Sequence, residues 1–195
     1  MNLQSFDIYC FDGDNTLWEA EGINLLAQLR GKGIAERVRE LTDLARGTGT
    51  ANRPPFEEIY QRRLELIRPT LKEIQDVAEL IRSERLTPGA REVIAKLRSM
   101  NKEVYLATEG IEQMVMPLAQ ALGITGWAAV PLVFDRDGSY VGIEDVPLRR
   151  ENGKVKFVQR LQRVFPNRTI AFIGAGMADK QTQPYVNCFI AYTGA

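Results

Sequence analysis

Histidine is missing from all 195 residues. Its absence excludes Ser-His-Asp and Cys-His catalysis and the usual kinds of zinc site. Cysteine is nearly missing as well. Cys10 and Cys188 lie far apart, show no Cys-x-x-Cys spacing, and read as two buried, reduced thiols. There is no excess of either charge sign, since 25 Lys and Arg face 25 Asp and Glu. A zero balance argues against a nucleic acid or a membrane surface as the main partner, while leaving room for a local basic pocket. No apolar run is long enough to span a bilayer, and no basic segment followed by an apolar one opens the chain, so the expected setting is soluble and cytoplasmic. Internal repeats and low-complexity tracts are also lacking. What remains is enough for one good-sized domain, or a core with a modest insertion, and any metal it uses is expected to be a hard, oxygen-ligated ion such as magnesium.

The most informative stretch is Phe6-Asp7-Ile8-Tyr9-Cys10-Phe11-Asp12-Gly13-Asp14-Asn15-Thr16-Leu17. Its first half is rich in aromatic and β-branched residues and predicts a largely buried strand. The strand stops at Asp12, with a second carboxylate two residues on. Open α/β sheets bind ligands at the carboxyl ends of their strands. Two like charges held that close favour a divalent cation or a raised pKa. A metal-binding turn, or a tight turn using Asp and Gly for their backbone tolerance, is the plainer alternative.

Helical spacing of apolar residues then runs over 21–30, 34–46, 56–68 and 71–83, with a flexible glycine- and proline-rich loop at 47–55. No strand signal returns until Glu103. Thr87-Pro88-Gly89 reads as a helix start, with the threonine as cap and the proline in the first turn. Strand signals follow at 103–107, 128–134, 139–143, 169–173 and 188–192, with helices at 111–122 and 154–165 between them. Alternation of this kind implies an α/β fold with a parallel, Rossmann-like sheet and right-handed crossovers.

Phe11-Asp12-Gly13-Asp14-Asn15-Thr16-Leu17 resembles the first motif of the haloacid dehalogenase superfamily, most of whose members are phosphatases. The resemblance implies that Asp12 attacks phosphorus to form an aspartyl phosphate and that Asp14 is the general acid and base. It implies a core of residues 1–17 and 86–195 with sheet order 3-2-1-4-5, and a helical cap over 18–85. Thr108-Glu109-Gly110 stands in place of the second motif, where Thr108 and the free N–H groups suit a phosphate oxygen. Glu109 departs from the glycine usual in the phosphoserine-phosphatase-like branch, and an acid there narrows the substrate range. Lys154, with Lys156 as the fallback, matches the lysine that neutralises phosphate and nucleophile.

Gly174-Ala175-Gly176-Met177-Ala178-Asp179 matches the fourth motif with two replacements. Ala175 stands where the family has a magnesium-ligating aspartate, which leaves Asp12, Asp14 and Asp179 as the implied ligands. An alanine methyl cannot hold a cation, so the chain reads as a disabled, slow or retired enzyme, or as one altered to trap a ligand. In the cap, Glu21 and Arg63 match the groups that hold the amino and carboxylate ends of phosphoserine, Phe56 lines the pocket, and Arg46 replaces a methionine. An arginine suits carboxylate geometry. The chain ends just past Tyr192, earlier than most relatives, so the resemblance leads one to expect that a last strand and helix of the family pattern are absent. The expected activity is magnesium-dependent hydrolysis of a small phosphorylated metabolite, phosphoserine first, with a non-catalytic phospho-ligand binder as the alternative. A phosphorylated signalling receiver also uses paired aspartates, but carries no helical insertion after its first strand.

Overall fold

A computed structural model describes residues 5–45 and 54–194. Its centre is β1 (Ile8–Phe11), every residue of which is buried. It pairs in parallel with β2 (Glu103–Ile111) on one side and β6 (Ile170–Gly174) on the other, so that Phe11 sits level with both Leu106 and Ile173. With β3 (Gly126–Val130) outside β2 and β7 (Cys188–Ala191) outside β6, the sheet order is β3-β2-β1-β6-β7. That is the expected 3-2-1-4-5 arrangement once the hairpin below is set aside. Alternate residues face opposite layers. Ile8 and Cys10 join Ile170, Phe172, Val158 and Leu161 on one side, while Tyr9 and Phe11 join the larger core on the other.

Among the described residues, five helices lie between β1 and β2: α1 (Gly22–Gln28), α2 (Lys32–Ala45), α3 (Phe56–Ile67), α4 (Leu71–Glu84) and α5 (Ala90–Ser99). The chain leaves β1 and returns to α5 along adjacent paths. Thr87 N–H donates to Leu17 O and Glu19 N–H to Arg85 O, at 3.0 and 2.7 Å. In α4 the buried residues Ile74, Val77, Ala78 and Ile81 form one helical stripe, and the helix packs against α6 (Glu112–Leu122). Thr70 and Glu73 form a capping box at its start, each side chain bonding the other's backbone N–H. Arg30 then ties three helix ends together. It donates to both Glu73 oxygens at 2.7 Å and to the carbonyls of Ile67 and Arg68.

Three local expectations are corrected. The apolar run at 128–134 is not one strand: Pro131 has no N–H to donate and divides it. The second part, β4 (Leu132–Phe134), instead pairs antiparallel with β5 (Tyr140–Ile143) in a separate hairpin. Thr87 does not cap α5. Gly89 adopts φ 83° as the residue before the helix, so the chain turns through Pro88-Gly89 and the helix begins one step later. The Thr87 hydroxyl is buried with no hydrogen-bond partner among the described residues. The second strand also continues to Ile111, past the predicted Ala107. The remaining helices are α7 (Gly153–Val164) and α8 (Met177–Lys180). Among the described residues no helix is long and apolar enough to cross a membrane.

The Arg30 contact gives a pH-dependent test. Hydrogen bonds from Arg30 hold the Glu73 carboxyl down at about 2. A depressed acid stabilises the fold above its unfolded pKa and loses that effect as pH falls through the folded value. Glu73→Gln should therefore lower the unfolding free energy at pH 7 by about 1–2 kcal/mol. In urea titrations the gap to the parent should close between the ordinary glutamate range and about pH 2.

Candidate active site

A cavity of about 680 Å³ opens at the carboxyl ends of β1, β2 and β6, with α1, α2 and α3 forming the opposite wall. Strand β1 delivers Asp12 to its floor, and the turn after it delivers Asp14. Gly13 makes that turn possible, because a Cβ there would lie 2.4 Å from the Trp18 ring. The Trp18 indole N–H in turn donates to Asp14 Oδ1 at 2.5 Å. Burial, reinforced by the nearby Glu21 charge, pushes the Asp14 carboxyl up to about 7.

Lys154 lies opposite, at the start of α7. That start is fixed by close backbone approach, since a Cβ on Gly153 would meet Pro147 O at 2.5 Å. The Lys154 ammonium is 4% exposed and bridges Asp12 Oδ1 at 2.8 Å and Asp179 Oδ1 at 2.6 Å. Burial works against its charge, but Asp12 and Asp179 outweigh burial and keep it protonated. Burial pushes the Asp12 carboxyl up, and Lys154 pulls the other way. Asp179 is fully buried, and its Oδ2 accepts from Gly176 N–H at 2.7 Å.

The second wall segment comes from the end of β2. Thr108 is buried, and its hydroxyl accepts from Gly110 N–H at 3.1 Å. Glu109 faces the cavity between them, its carboxyl raised chiefly by burial. From α3, Phe56, Tyr60 and Arg63 recur at helical spacing and reach the cavity together. Arg63 is 5% exposed, lies over the Tyr60 ring at 5.2 Å, and donates to Thr42 Oγ1 at 3.3 Å. Its Nε has no hydrogen-bond partner among the described residues, and neither has the Tyr60 hydroxyl. Burial lowers the guanidinium pKa against the pull of Tyr60, Glu21 and Glu109.

The structure thus gathers Asp12, Asp14, Glu21, Phe56, Arg63, Thr108, Glu109, Gly110, Lys154, Ala175 and Asp179 around one cavity. Lys156 points to solvent. Arg46 lies outside the described residues. Sequence reasoning passed over Trp18, Tyr60 and Thr42. Only Tyr60 left a signal, through its spacing from Phe56 and Arg63.

The expected magnesium ligands do not form a metal site. Among the described residues no group of three or more His, Cys, Asp or Glu is placed to hold a metal ion. Both Asp179 oxygens are taken, one by Lys154 and one by Gly176. One Asp14 oxygen is taken by Trp18, and position 175 offers only a methyl group. Two partly committed carboxylates do not make the octahedral oxygen set that magnesium demands.

The family model for haloacid dehalogenase-like hydrolases matches residues 10–182. The chain is 37% identical to the chloroplastic phosphoserine phosphatase of Arabidopsis thaliana, covering 98% of this chain and 64% of that protein. It is 34% identical to the phosphoserine phosphatase of Homo sapiens, covering 97% of this chain and 83% of the human one. Among solved structures, a phospho-aspartyl intermediate analogue of phosphoserine phosphatase superposes with a TM-score of 0.77 at 21% identity, over 96% of this chain and 94% of that one. A phosphoserine phosphohydrolase-like protein from Francisella tularensis gives 0.83 at 22%, over 96% and 87%. At those identities the structures speak for the fold.

Replacing Lys154 tests the charge cluster. Lys154→Met leaves two buried carboxylates without their cation, which should cost about 3–5 kcal/mol at neutral pH. Lowering the pH should recover part of the loss, because proton uptake by the raised Asp12 removes the unpaired charge. Chemical denaturation at pH 7.5 and pH 5 measures both.

Proposed function

We propose that this chain, which belongs to the haloacid dehalogenase-like hydrolase family and within it to the phosphoserine-phosphatase-like branch, is a phosphoric monoester hydrolase acting on a small phosphorylated metabolite of amino-acid type. The observation that carries the reading is Asp12 at the end of the central strand, ion-paired to buried Lys154, with Asp14 two residues on and facing the same cavity. In this reading residues 1–17 and 86–195 are the catalytic core, and residues 18–85 are a cap that supplies the substrate pocket.

Each residue has a chemical task. Asp12 attacks the phosphorus, forming an aspartyl phosphate as the ester oxygen departs. Lys154 offsets the charge that would otherwise keep carboxylate and phosphate apart. Asp14, with its carboxyl near 7, carries the proton to the leaving oxygen and then takes one from the attacking water. The Thr108 hydroxyl and the backbone around Gly110 receive phosphate oxygens. Glu21 faces the substrate's amino group and Arg63 its carboxylate, with Phe56 as the apolar wall. Phosphoserine is the first substrate to test.

Magnesium would add charge neutralisation at such a site, but the residues present do not fit it, so no step is assigned to it. The same observation favours a second reading, a phospho-ligand binder with little or no turnover. Lys154 and Arg63 are anion-binding groups that need no metal, whereas efficient attack by Asp12 requires more neutralisation than one lysine shared with Asp179 supplies.

One comparison separates the readings. Phosphate release from phosphoserine is measured for this chain and for Ala175→Asp, with and without magnesium. A disabled hydrolase gives release at least about 100-fold faster in Ala175→Asp with magnesium, in line with the several kcal/mol a catalytic metal supplies, and Asp12→Asn abolishes it. If neither chain releases phosphate from phosphoserine or from an aryl phosphate, while phosphoserine still binds, the binder is the correct reading.

A further inference from the structure

Among the described residues, acidic side chains outnumber basic ones around the cavity. Asp12, Asp14, Glu21, Glu109, Glu151 and Asp179 line it, against Arg63 and Lys154 as the described cations. Lys154 is already shared by Asp12 and Asp179. Asp14 accepts from Trp18, and Glu21 accepts from Asn15. Glu109 differs from these acids. Among the described residues it has no hydrogen bond and no ion pair, although its carboxylate is set into the wall beside the buried Thr108. A half-buried carboxylate that faces a cavity and has no protein donor is placed to pair with a cation that enters there.

Two neighbours define what Glu109 can pair with. Lys154 acts on it most strongly, but that ammonium has two closer carboxylates. Arg63 also acts on it, and feels Glu21 and Glu109 together. A ligand carboxylate approaching Arg63 therefore meets a guanidinium whose field two glutamates already oppose. A ligand cation placed between those glutamates meets attraction from both.

Resting on the phosphomonoester reading above, we propose that Glu109 is a specificity-determining residue. Its carboxylate pairs with a positively charged group of the ligand, and it turns the cavity against phosphomonoesters whose other charged group is a carboxylate alone. The ligand class is a phosphomonoester that carries an ammonium group. A cation on the ligand offsets the acid excess, whereas a second anion adds to it.

Calorimetric titration of the full chain tests this with O-phosphoethanolamine, which has an ammonium and no carboxylate, and phosphoglycolate, which has a carboxylate and no ammonium. Inorganic phosphate is the third probe. The chain should bind phosphoethanolamine at least about tenfold more tightly than phosphoglycolate, a difference of about 1.4 kcal/mol. Glu109→Gln keeps the shape and removes the charge. It should raise affinity for phosphoglycolate and inorganic phosphate without tightening phosphoethanolamine, shrinking the ratio between the two esters about tenfold, and Glu109→Gly should do the same without the bulk. A ratio that both variants leave unchanged overturns the proposal, as does tighter binding of phosphoglycolate by the parent chain. If inorganic phosphate and both esters fail to bind, the phosphomonoester reading itself falls and takes this inference with it. Binding of all three without discrimination removes only the role of Glu109.

Discussion

One ammonium group holds the catalytic end of this molecule together. Lys154 Nζ sits between a carboxylate from β1 and another from α8, at 2.8 and 2.6 Å, with all three groups out of solvent. Taking an ion out of water costs several kcal/mol, so none of the three is tolerable alone at this depth. The surroundings serve that contact. Gly153 lets the first turn of α7 press onto the Pro147 backbone, and Gly174 leaves room for the Asp179 carboxyl, which a Cβ would meet at 2.4 Å. Asp179 then closes the Gly176 turn through its second oxygen. Sheet, helix and loop meet in one charge cluster, and the position of Asp12 follows from it.

The opposite wall rests on different physics. There α1, α3 and α4 are held by apolar stripes and by Arg30, which sits just past α1 and bonds the carboxyl end of α3 and the capping glutamate of α4. That staple lies away from the cavity and leaves Arg63 free to be a poor structural residue. It is buried, bonded only weakly to Thr42, and unsatisfied at Nε. A fold does not retain an incompletely solvated guanidinium for its own stability. Its place on α3, one helical face with Phe56 and Tyr60, sets it on the cavity wall, where the proposed reading gives it a ligand to bind.

Much of this was legible in the chain, for identifiable reasons. The run from Ile8 to Phe11 predicts a buried central strand because β-branched and aromatic residues fill both faces of a parallel sheet. Alternation of strands and helices gives a parallel sheet, while the strand order and the cavity residues follow from the family resemblance and its motifs. Where the reading missed, a three-dimensional competitor decided. Thr87 had the right side chain for a cap, but the left-handed glycine two residues later reset the helix start. Pro131 split an apolar run that periodicity alone joins. Trp18 left no signal, because an indole that orients a carboxylate four residues earlier looks, in sequence, like one more core aromatic. Asp179 was read as a metal ligand from its place in the motif, whereas local geometry commits both its oxygens elsewhere.

That last point separates fold from activity. The Lys154 cluster needs Asp12 and Asp179, and both are present, so the floor of the cavity forms with Ala175 in place. In the proposed reading a phosphate is held by fixed positive charge and a hydroxyl, which Lys154 and Thr108 bring to the cavity. Making Asp12 attack that phosphate is a harder electrostatic problem, because an anion must approach an anion in a medium of low dielectric. A lysine divided between two carboxylates relieves it only in part, and the methyl group at 175 adds nothing. Losing one carboxylate can therefore remove chemistry while leaving architecture and anion recognition whole, since the residues that build the site and those that would drive turnover overlap only at Asp12 and Lys154.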